Sequence, residues 1–226
     1  MKLIIYYMNI IRLDSINSTN TYCNFLLTNP AGLPEHIRPI EPVELPCAVI
    51  AREQYAGRGS YGKSFHSPAG GLYMSYAFES SLDVDDLLKI TVVAASLVHE
   101  VLQSYSKEEL SIKWINDIYL GNRKVAGILT ERIDDIRSPG RYYIIIGVGV
   151  NVLPASAPEE LSDIIGFIGN DKTDSSVIED IASDLTDSFN DIFADCNPNE
   201  FPALINYYRL KCRNLPFDFG DKLLNK

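Results

Sequence analysis

The chain has 226 residues, of which 46% are hydrophobic and 22% charged, and its formal net charge is −10. This composition excludes a disordered, a collagen-like and a membrane-spanning protein. The length suffices for one α/β domain of moderate size with a proper core, or for one such domain with a small appendage. The charge is uneven, because residues 153–200 carry twelve acidic side chains against one basic side chain, Lys172. No cluster of lysine and arginine stands out, so we predict no nucleic-acid partner.

The cysteines and the N-terminal residues exclude two further classes of protein. The four cysteines are widely scattered, and no histidine lies at metal-ligand spacing, so we predict free thiols in a reducing cytoplasm rather than a zinc site or a disulfide framework. Residues 1–11 resemble a signal peptide but lack a small-residue cleavage site, so we predict an initial β-strand. No apolar run approaches the roughly 20 residues of a membrane-spanning helix, and no membrane partner is expected.

The elements predicted along the rest of the chain are short strands and longer helices. A helix over residues 19–27 has Ser18 as its N-cap, and residues 29–46, with five prolines, are irregular. Strands are predicted at 47–51, 72–78, 110–114, 117–120, 124–132 and 142–152. Longer helices are predicted at 85–105, 175–194 and 200–211. The lack of a regular strand–helix–strand rhythm, with a hairpin turn at Gly121-Asn122, predicts an α+β fold whose mixed, largely antiparallel sheet is flanked by helices.

A glycine-rich loop follows the strand at 47–51. Residues 57–62 match the pattern G-x-G-x-x-G, but a strand rather than a helix follows, so a dinucleotide-binding motif is excluded. A kinase interpretation, supported by Asp-Phe-Gly at 218–220, fails because no His-Arg-Asp catalytic loop exists. Backbone N–H groups of the glycines, with Arg58 and Lys63, suit a phosphate or a carboxylate. The alternative is a surface loop whose charges are merely solvated.

Two further segments carry polar groups at the ends of apolar strands. Lys113 and Lys124 flank a predicted hairpin and can face one anionic ligand, with Asn116-Asp117 between them for a metal or an amine. An exposed hairpin with ordinary charges is the alternative. Residues 144–152 form a buried strand with Gly147 and Gly149, and glycine in a strand indicates close packing, so a flat ligand is the hypothesis there.

Taken in chain order, these segments resemble the biotin protein ligase family over about residues 12–152. The matching elements are Asp14-Ser15, Ser18-Thr19-Asn20, Gln54 with Gly57-Arg58-Gly59, Ser67-Pro68, Leu72-Tyr73 with Ser75, Lys113 to Asp117, Lys124 with Ala126 to Leu129 and Glu131, and Gly147 to Asn151. Several ordered motifs are far more specific than one. The resemblance implies the class II aminoacyl-tRNA synthetase-like fold of biotin and lipoate ligases.

The resemblance also implies a reaction and its residues. Such a ligase activates biotin with Mg-ATP to biotinyl-5′-AMP and transfers biotin to a lysine of a biotin carboxyl carrier domain. The biotin-binding residues would be Ser18, Thr19, Asn20, Gln54, Gly57, Arg58, Gly59, Lys124 and Gly127. The ATP or adenylate contacts would be Arg58, Gly59, Ser60, Phe65, Lys113, Asn116 and Asn151. The catalytic residues would be Arg58, Lys113, Asp117 and Lys124, with Asp117 orienting either Mg²⁺ or the acceptor amine.

Three departures from the family pattern lie close to these residues. Ser60 stands where a second arginine is usual, which predicts leakier adenylate release or a compensating role for Lys63. Phe65 replaces a usual tryptophan and loses the indole donor. Ile115 replaces a usual proline, which frees a backbone N–H.

The chain ends and the oligomeric state give further expectations. The short segment before the first motif predicts a monofunctional ligase without a DNA-binding domain. Residues 1–212 are predicted to form the catalytic domain, and residues 213–226 the start of a truncated C-terminal β-barrel whose first strand begins at Phe217. Homodimerisation is suggested by the resemblance alone.

Two alternatives stay open at the level of sequence. A lipoate or octanoate ligase or transferase shares the fold and the pocket lysine, but its Arg-Arg-x-Ser-Gly-Gly-Gly stretch is not found here. A non-catalytic biotin-binding or dimerising paralogue is the second alternative, and the intact Lys113, Asp117 and Lys124 argue against it.

Overall fold

The computed structural model describes residues 9–80, 86–135, 138, 141–155, 157–194, 200–216 and 218–223. The strands are β1 (Asn9–Ile16), β2 (Cys47–Gln54), β3 (Leu72–Ser80), β4 (Leu110–Lys113), β5 (Asp117–Leu120), β6 (Arg123–Asp134) and β7 (Tyr142–Val150). The helices are α1 (Thr19–Thr28), α2 (Leu87–Tyr105), α3 (Val177–Phe193), α4 (Phe201–Lys211) and α5 (Phe219–Leu223). Every helix and strand expected between residues 19 and 211 is present, with boundaries shifted by a few residues.

The seven strands form one sheet in the order β1-β2-β3-β7-β6-β5-β4. Only the β1–β2 pair is parallel, and the other five pairs are antiparallel. This confirms the predicted mixed, largely antiparallel sheet. The hairpin turn between β5 and β6 is also confirmed, with Gly121 at a φ of 56°, a left-handed conformation that glycine adopts without steric cost.

The two faces of the sheet carry different layers. Alternate residues of β2 and β3 point to opposite sides, as in any pleated strand. One side packs against α2, α3 and α4 in the larger core, which includes Ile50, Met74 and Leu102. The other side packs against α1 in a smaller core, which includes Tyr22, Val49 and Ala51.

Helix α2 is the one helix, among the residues described, with the length and apolar composition of a membrane span. Most of its middle, from Ile90 to Leu102, is buried in the larger core. Its composition is explained by this position, since a helix covered on most sides by protein needs no polar face.

The predictions for the two chain ends have different outcomes, and the initial β-strand is confirmed for residues 9–11. The first strand is described from Asn9, and the part of the prediction over residues 1–8 lies outside the described residues. The strand expected from Phe217 onward is wrong for 219–223, which form α5. The Phe219 ring stacks on Tyr208 at 5.9 Å and meets the edge of Trp114 at 5.9 Å, so burial of an aromatic ring decides the local structure. The division into two domains stays a prediction.

The cysteines are free wherever the chain is described. Cys23 and Cys47 are buried in the smaller core, and Cys212 is partly exposed, whereas Cys196 lies outside the described residues. Burial raises the pKa of the Cys47 thiol to about 12, so it stays protonated at neutral pH. The prediction of free thiols is confirmed for these three.

Candidate functional site

A cavity of about 310 Å³ lies beside the N-terminal end of α1, on the side of the sheet that carries the smaller core. Thirteen of the residues predicted for the site line it: Ser18, Thr19, Asn20, Gln54, Arg58, Gly59, Ser60, Phe65, Lys113, Asn116, Asp117, Lys124 and Gly127. The structure therefore brings predicted residues from separate segments together, while their individual roles remain predictions.

Gly57 and Asn151 belong to the predicted set but do not line the cavity. A Cβ atom at Gly57 would stand 2.4 Å from the carbonyl oxygen of Phe65, so this glycine lets the loop fold back on itself. The Asn151 amide donates to the carbonyl of Lys124 at 3.1 Å and lines a small neighbouring cavity. Both residues support the walls of the site in this structure.

The floor of the cavity is a row of neighbours on successive strands. Strand pairing sets five residues side by side: Tyr73, Gly149, Gly127, Asp117 and Lys113. The last four line the cavity, and Tyr73 lines the small neighbouring one. A Cβ atom at Gly149 would stand 2.6 Å from the ring of Phe65. The missing side chain therefore allows an aromatic ring of the glycine-rich loop to lie directly on the sheet.

Lys124 reaches the cavity because of an irregularity in the sheet. The register between β5 and β6 shifts beside it, and the next two residues, Val125 and Ala126, both pack into the larger core. A bulge of this kind re-aims a side chain. The Lys124 Nζ atom then lies 2.6 Å from a carboxylate oxygen of Asp117 and 5.5 Å from the centre of the Phe65 ring.

The N-terminal end of α1 forms one polar wall. The backbone N–H of Thr19 donates to Oε1 of Gln54 at 2.8 Å, and the Gln54 amide donates to the Ser67 hydroxyl at 2.9 Å. The Ser67 hydroxyl in turn donates to the Phe65 carbonyl at 2.9 Å. This chain of bonds fixes Gln54, and it ties α1, β2 and the glycine-rich loop together.

Asn20 is the most constrained polar side chain of this wall. Its Oδ1 accepts from the Ser75 hydroxyl at 2.6 Å, and its Nδ2 donates to the Leu129 carbonyl at 3.3 Å and to Glu131 at 2.8 Å. A Cβ atom at Gly147 would stand 2.1 Å from Oδ1. The predicted close approach at the glycines of β7 is therefore made, in this structure, by the side chains of Asn20 and Phe65. Gly147 and Gly149 also line the cavity, and a flat ligand there stays a prediction.

The glycine-rich loop crosses the mouth of the cavity. The Arg58 guanidinium forms two hydrogen bonds to Glu131, at 2.6 Å and 3.1 Å. The Ser60 hydroxyl accepts from Nδ2 of Asn116 at 2.8 Å, so the loop is also tied to the turn between β4 and β5. Tyr61, in the left-handed region at a φ of 58°, is 97% exposed.

The charges lining the cavity favour an anionic ligand. Four basic residues, Arg58, Lys63, Lys113 and Lys124, face it, and Asp117 is the one acidic residue among the described lining residues. Such an excess suits a carboxylate or a phosphate. The Lys113 ammonium also lies 5.3 Å from the centre of the Tyr119 ring, a cation–π contact at the outer end of the row.

The fit of a magnesium ion rests on Asp117 alone. Within the described residues, no group of three or more acidic, histidine or cysteine side chains could hold a metal ion. Mg²⁺ is commonly held by one or two carboxylates together with substrate phosphates, so a single carboxylate is compatible with it. Asp117 is, however, paired with Lys124 at 2.6 Å, and its metal role stays a prediction.

Sequence reasoning assigned no role to two residues that order the site. Glu131 binds both Arg58 and Asn20, and Ser75 binds Asn20. Ser75 left a signal, because it is a polar residue between apolar neighbours in β3. Glu131 left a weaker one, because it lies at the polar end of β6, next to Thr130 and Arg132. Neither signal showed the partners, since these depend on which strands become neighbours.

The fold and the site together define a class of protein: a mixed α+β domain with a small-molecule cavity that is polar at one end and cationic at the other. Residues 13–151 match the model of the biotin/lipoate A/B protein ligase family, and the chain belongs to this family. This finding confirms the resemblance seen in the sequence.

Relatives with curated names agree with the family. The chain is 36% identical over 122 residues to the bifunctional ligase/repressor BirA of Bacillus subtilis, which is 51% of this chain and 36% of that protein. It is 35% identical over 113 residues to a biotin–[acetyl-CoA-carboxylase] ligase of Paracoccus denitrificans, which is 49% of this chain and 45% of that protein. The chain therefore spans less than half the length of these curated relatives.

Solved structures resemble most of the fold. A biotin protein ligase from Aquifex aeolicus, in complex with biotin and ATP, has a TM-score of 0.62 at 26% identity and covers 88% of this chain and 77% of that one. A biotin protein ligase from Leishmania major, in complex with biotinyl-5-AMP, has a TM-score of 0.62 at 22% identity and covers 92% and 85%. The α+β fold class predicted from the sequence is confirmed.

Proposed function

We propose that this chain activates biotin with ATP to biotinyl-5′-AMP and transfers the biotinyl group to a lysine of a biotin carboxyl carrier domain. The observation that carries the proposal is the arrangement of one cavity, with a polar wall at the start of α1 and basic residues at its other end. A ligand with a polar ring and a carboxylate tail matches this arrangement.

The first half-reaction places two anions next to each other. An oxygen of the biotin carboxylate attacks the α-phosphorus of ATP, the bond from that phosphorus to the bridging oxygen breaks, and pyrophosphate leaves. Arg58 and Lys124 supply N–H donors for the carboxylate and the α-phosphate, and Lys113 supplies one for the outer phosphates. Fixed donors that face developing negative charge, and enforced proximity of the reactants, are the two expected sources of rate.

The second half-reaction needs an uncharged amine. The ε-amine nitrogen of the acceptor lysine attacks the carbonyl carbon of the mixed anhydride, the carbon–oxygen bond to AMP breaks, and the amine loses a proton. Asp117 lines the cavity between Gly127 and Lys113 and pairs with Lys124, so it can orient either this amine or a cation that enters with the phosphates. Location in the cytoplasm and homodimerisation complete the proposal as expectations from the family.

Replacement of Lys124 by alanine tests the proposed function. We expect kcat/KM for transfer of radiolabelled biotin to an apo carrier domain to fall by about 10²- to 10³-fold, because a donor to the developing charge is lost. Lys211→Ala is the matched control, since Lys211 pairs with Glu109 outside the cavity and should leave transfer unchanged.

The same assay separates the alternatives. Transfer of lipoate or octanoate in place of biotin would indicate the related acyl ligase or transferase. Binding of biotin without adenylate formation would indicate a non-catalytic paralogue. Either result in the wild-type protein would contradict the proposed function.

A further inference from the structure

Glu131 is an acidic side chain that does not line the cavity but binds two residues that do, Arg58 and Asn20, and it has no role in the proposed reaction. It lies on β6, four residues after Gly127, so strand alternation puts both on the cavity side of the sheet. Its side chain is only 22% exposed, although the chain carries an excess of acidic residues at its surface. A partly buried carboxylate beside an anion-binding cavity needs a physical reason, because it opposes binding of an anion.

Three donors from two different segments converge on this carboxylate. Oε1 accepts from Nη2 of Arg58 at 2.6 Å, and Oε2 accepts from Nη1 of Arg58 at 3.1 Å and from Nδ2 of Asn20 at 2.8 Å. One carboxylate therefore joins the glycine-rich loop to the first turn of α1. Arg58 has five N–H donors, so three remain for a ligand after these two bonds.

A second ion pair on the same sheet, between Arg141 and Glu79, differs from the Arg58–Glu131 pair in its exposure and in the segments that it joins. Arg141 pairs with Glu79, and these side chains are 47% and 48% exposed. That pair joins neighbouring ends of β3 and β7 and lies outside the cavity. The Glu131 pair is less exposed at its acidic member, holds a third donor and links two segments that both line the cavity. It therefore constrains the cavity, which an exposed pair at strand ends does not do.

We propose that Glu131 is a positioning residue that sets the Arg58 guanidinium and the Asn20 amide at a fixed separation. Resting on the proposed function, this places Arg58 for the carboxylate of biotin and Asn20 for its polar ring in one rigid frame. Without Glu131, the long Arg58 side chain must lose rotamer freedom when the ligand binds, and that lowers affinity.

Replacement of Glu131 by glutamine disrupts the hydrogen bonds to Arg58 and Asn20 with little change in the size of the side chain. Glutamine has one acceptor oxygen and an NH₂ group, so a donor would face the donors of Arg58 or Asn20. We expect the Kd for biotin alone, measured by calorimetry without ATP, and the KM for biotin to rise about tenfold. We expect kcat at saturating biotin to change by less than about threefold, because the bound ligand restores the arrangement.

Two matched variants control this measurement. Glu131→Asp keeps the charge on a shorter stem and should recover part of the affinity. Glu79→Gln breaks the exposed pair with Arg141 and should leave the Kd for biotin unchanged. Thermal unfolding of each variant shows whether it is folded. If Glu131→Gln does not fold, the Kd of Glu131→Asp for biotin still tests the inference.

A double-mutant cycle with Asn20→Ala tests whether Glu131 acts through its neighbour. If it does, the loss from Glu131→Gln is smaller in the Asn20→Ala background than in the wild type, because part of the interaction is already absent. Strictly additive losses, or a Kd in Glu131→Gln equal to that of the wild type, would overturn the inference while leaving the proposed function intact. A wild-type protein that binds no biotin would overturn both together.

Discussion

Ser60 lies in the glycine-rich loop at the position where the family resemblance leads us to expect a second arginine. Its hydroxyl accepts a hydrogen bond from Asn116 at 2.8 Å, so the loop is held against the turn after β4 by a neutral contact. A neutral hydrogen bond is about half as strong as a charge-assisted one. Under the proposed function, retention of an anionic intermediate would therefore depend on the basic residues that line the cavity.

We predict that Ser60→Arg slows dissociation of biotinyl-5′-AMP by about tenfold, because it adds a charge-assisted contact to the phosphate. Ser60→Ala, which removes only the bond to Asn116, should speed dissociation. The measurement is a chase of pre-formed radiolabelled adenylate with unlabelled biotin. Equal rates in the wild type and Ser60→Arg would show that the loop residue does not control retention.

At the scale of elements, α2 and α4 meet through a buried histidine. His99 is fully buried, and its Nδ1 and Nε2 atoms lie 2.9 Å from the Tyr207 hydroxyl and 3.1 Å from the Leu110 carbonyl. The carbonyl can only accept, so Nε2 carries the proton of the neutral ring and Nδ1 accepts from Tyr207. Burial lowers the pKa of His99 below its ordinary value, so the folded state favours the neutral ring.

This histidine makes stability depend on pH in a defined window. The unfolded chain binds a proton at His99 as the pH falls through about 6.5, whereas the folded protein does so only at lower pH. We therefore predict that the free energy of unfolding decreases from pH 7.5 to pH 5.5. Urea unfolding at both values should show a smaller decrease for His99→Gln, which has no ionisable ring. An equal decrease in the two proteins would assign the effect to other groups.

Most elements could be predicted from the sequence, because α3 and α4 bury one regular face, and the central strands β3 and β7 are short, almost continuously apolar runs. The five-residue α5 could not, since it is too short for a period and owes its place to the packing of Phe219 on Tyr208. The membership of the site was predictable from ordered motifs. The bond from Glu131 to Asn20 was not, because it depends on how β6 and α1 meet in space.

At the scale of the whole molecule, the packing of α5 bears on the domain division. Phe219 is 4% exposed and belongs to the larger core, and it meets Trp114, the single tryptophan of the chain. Trp114 also lines the cavity. Among the described residues after 212, Phe219 and Leu223 therefore pack in the same core as the helices behind the sheet.

We predict that Phe219→Ala lowers the free energy of unfolding by about 3 kcal/mol, as for other buried aromatic rings. Unfolding followed by the fluorescence of Trp114 measures this, and the emission of the folded protein should shift to longer wavelength as water reaches the indole. Leu210→Ala, at an 84% exposed position of α4, is the control and should stay within about 0.5 kcal/mol. An unchanged stability would favour a separate C-terminal module.

The row of residues on the cavity floor has a consequence for how the protein folds. Asp117 and Gly127 are brought together by a local hairpin, but Tyr73 and Gly149 are paired although more than 70 residues separate them along the chain. Closing a loop of that length costs entropy before any contact repays it. During synthesis, the Lys124–Asp117 pair can therefore form as soon as its hairpin emerges, whereas the floor is completed only after β7 has been made. In a nascent chain, the ion pair of the site can therefore form before the cavity around it is complete.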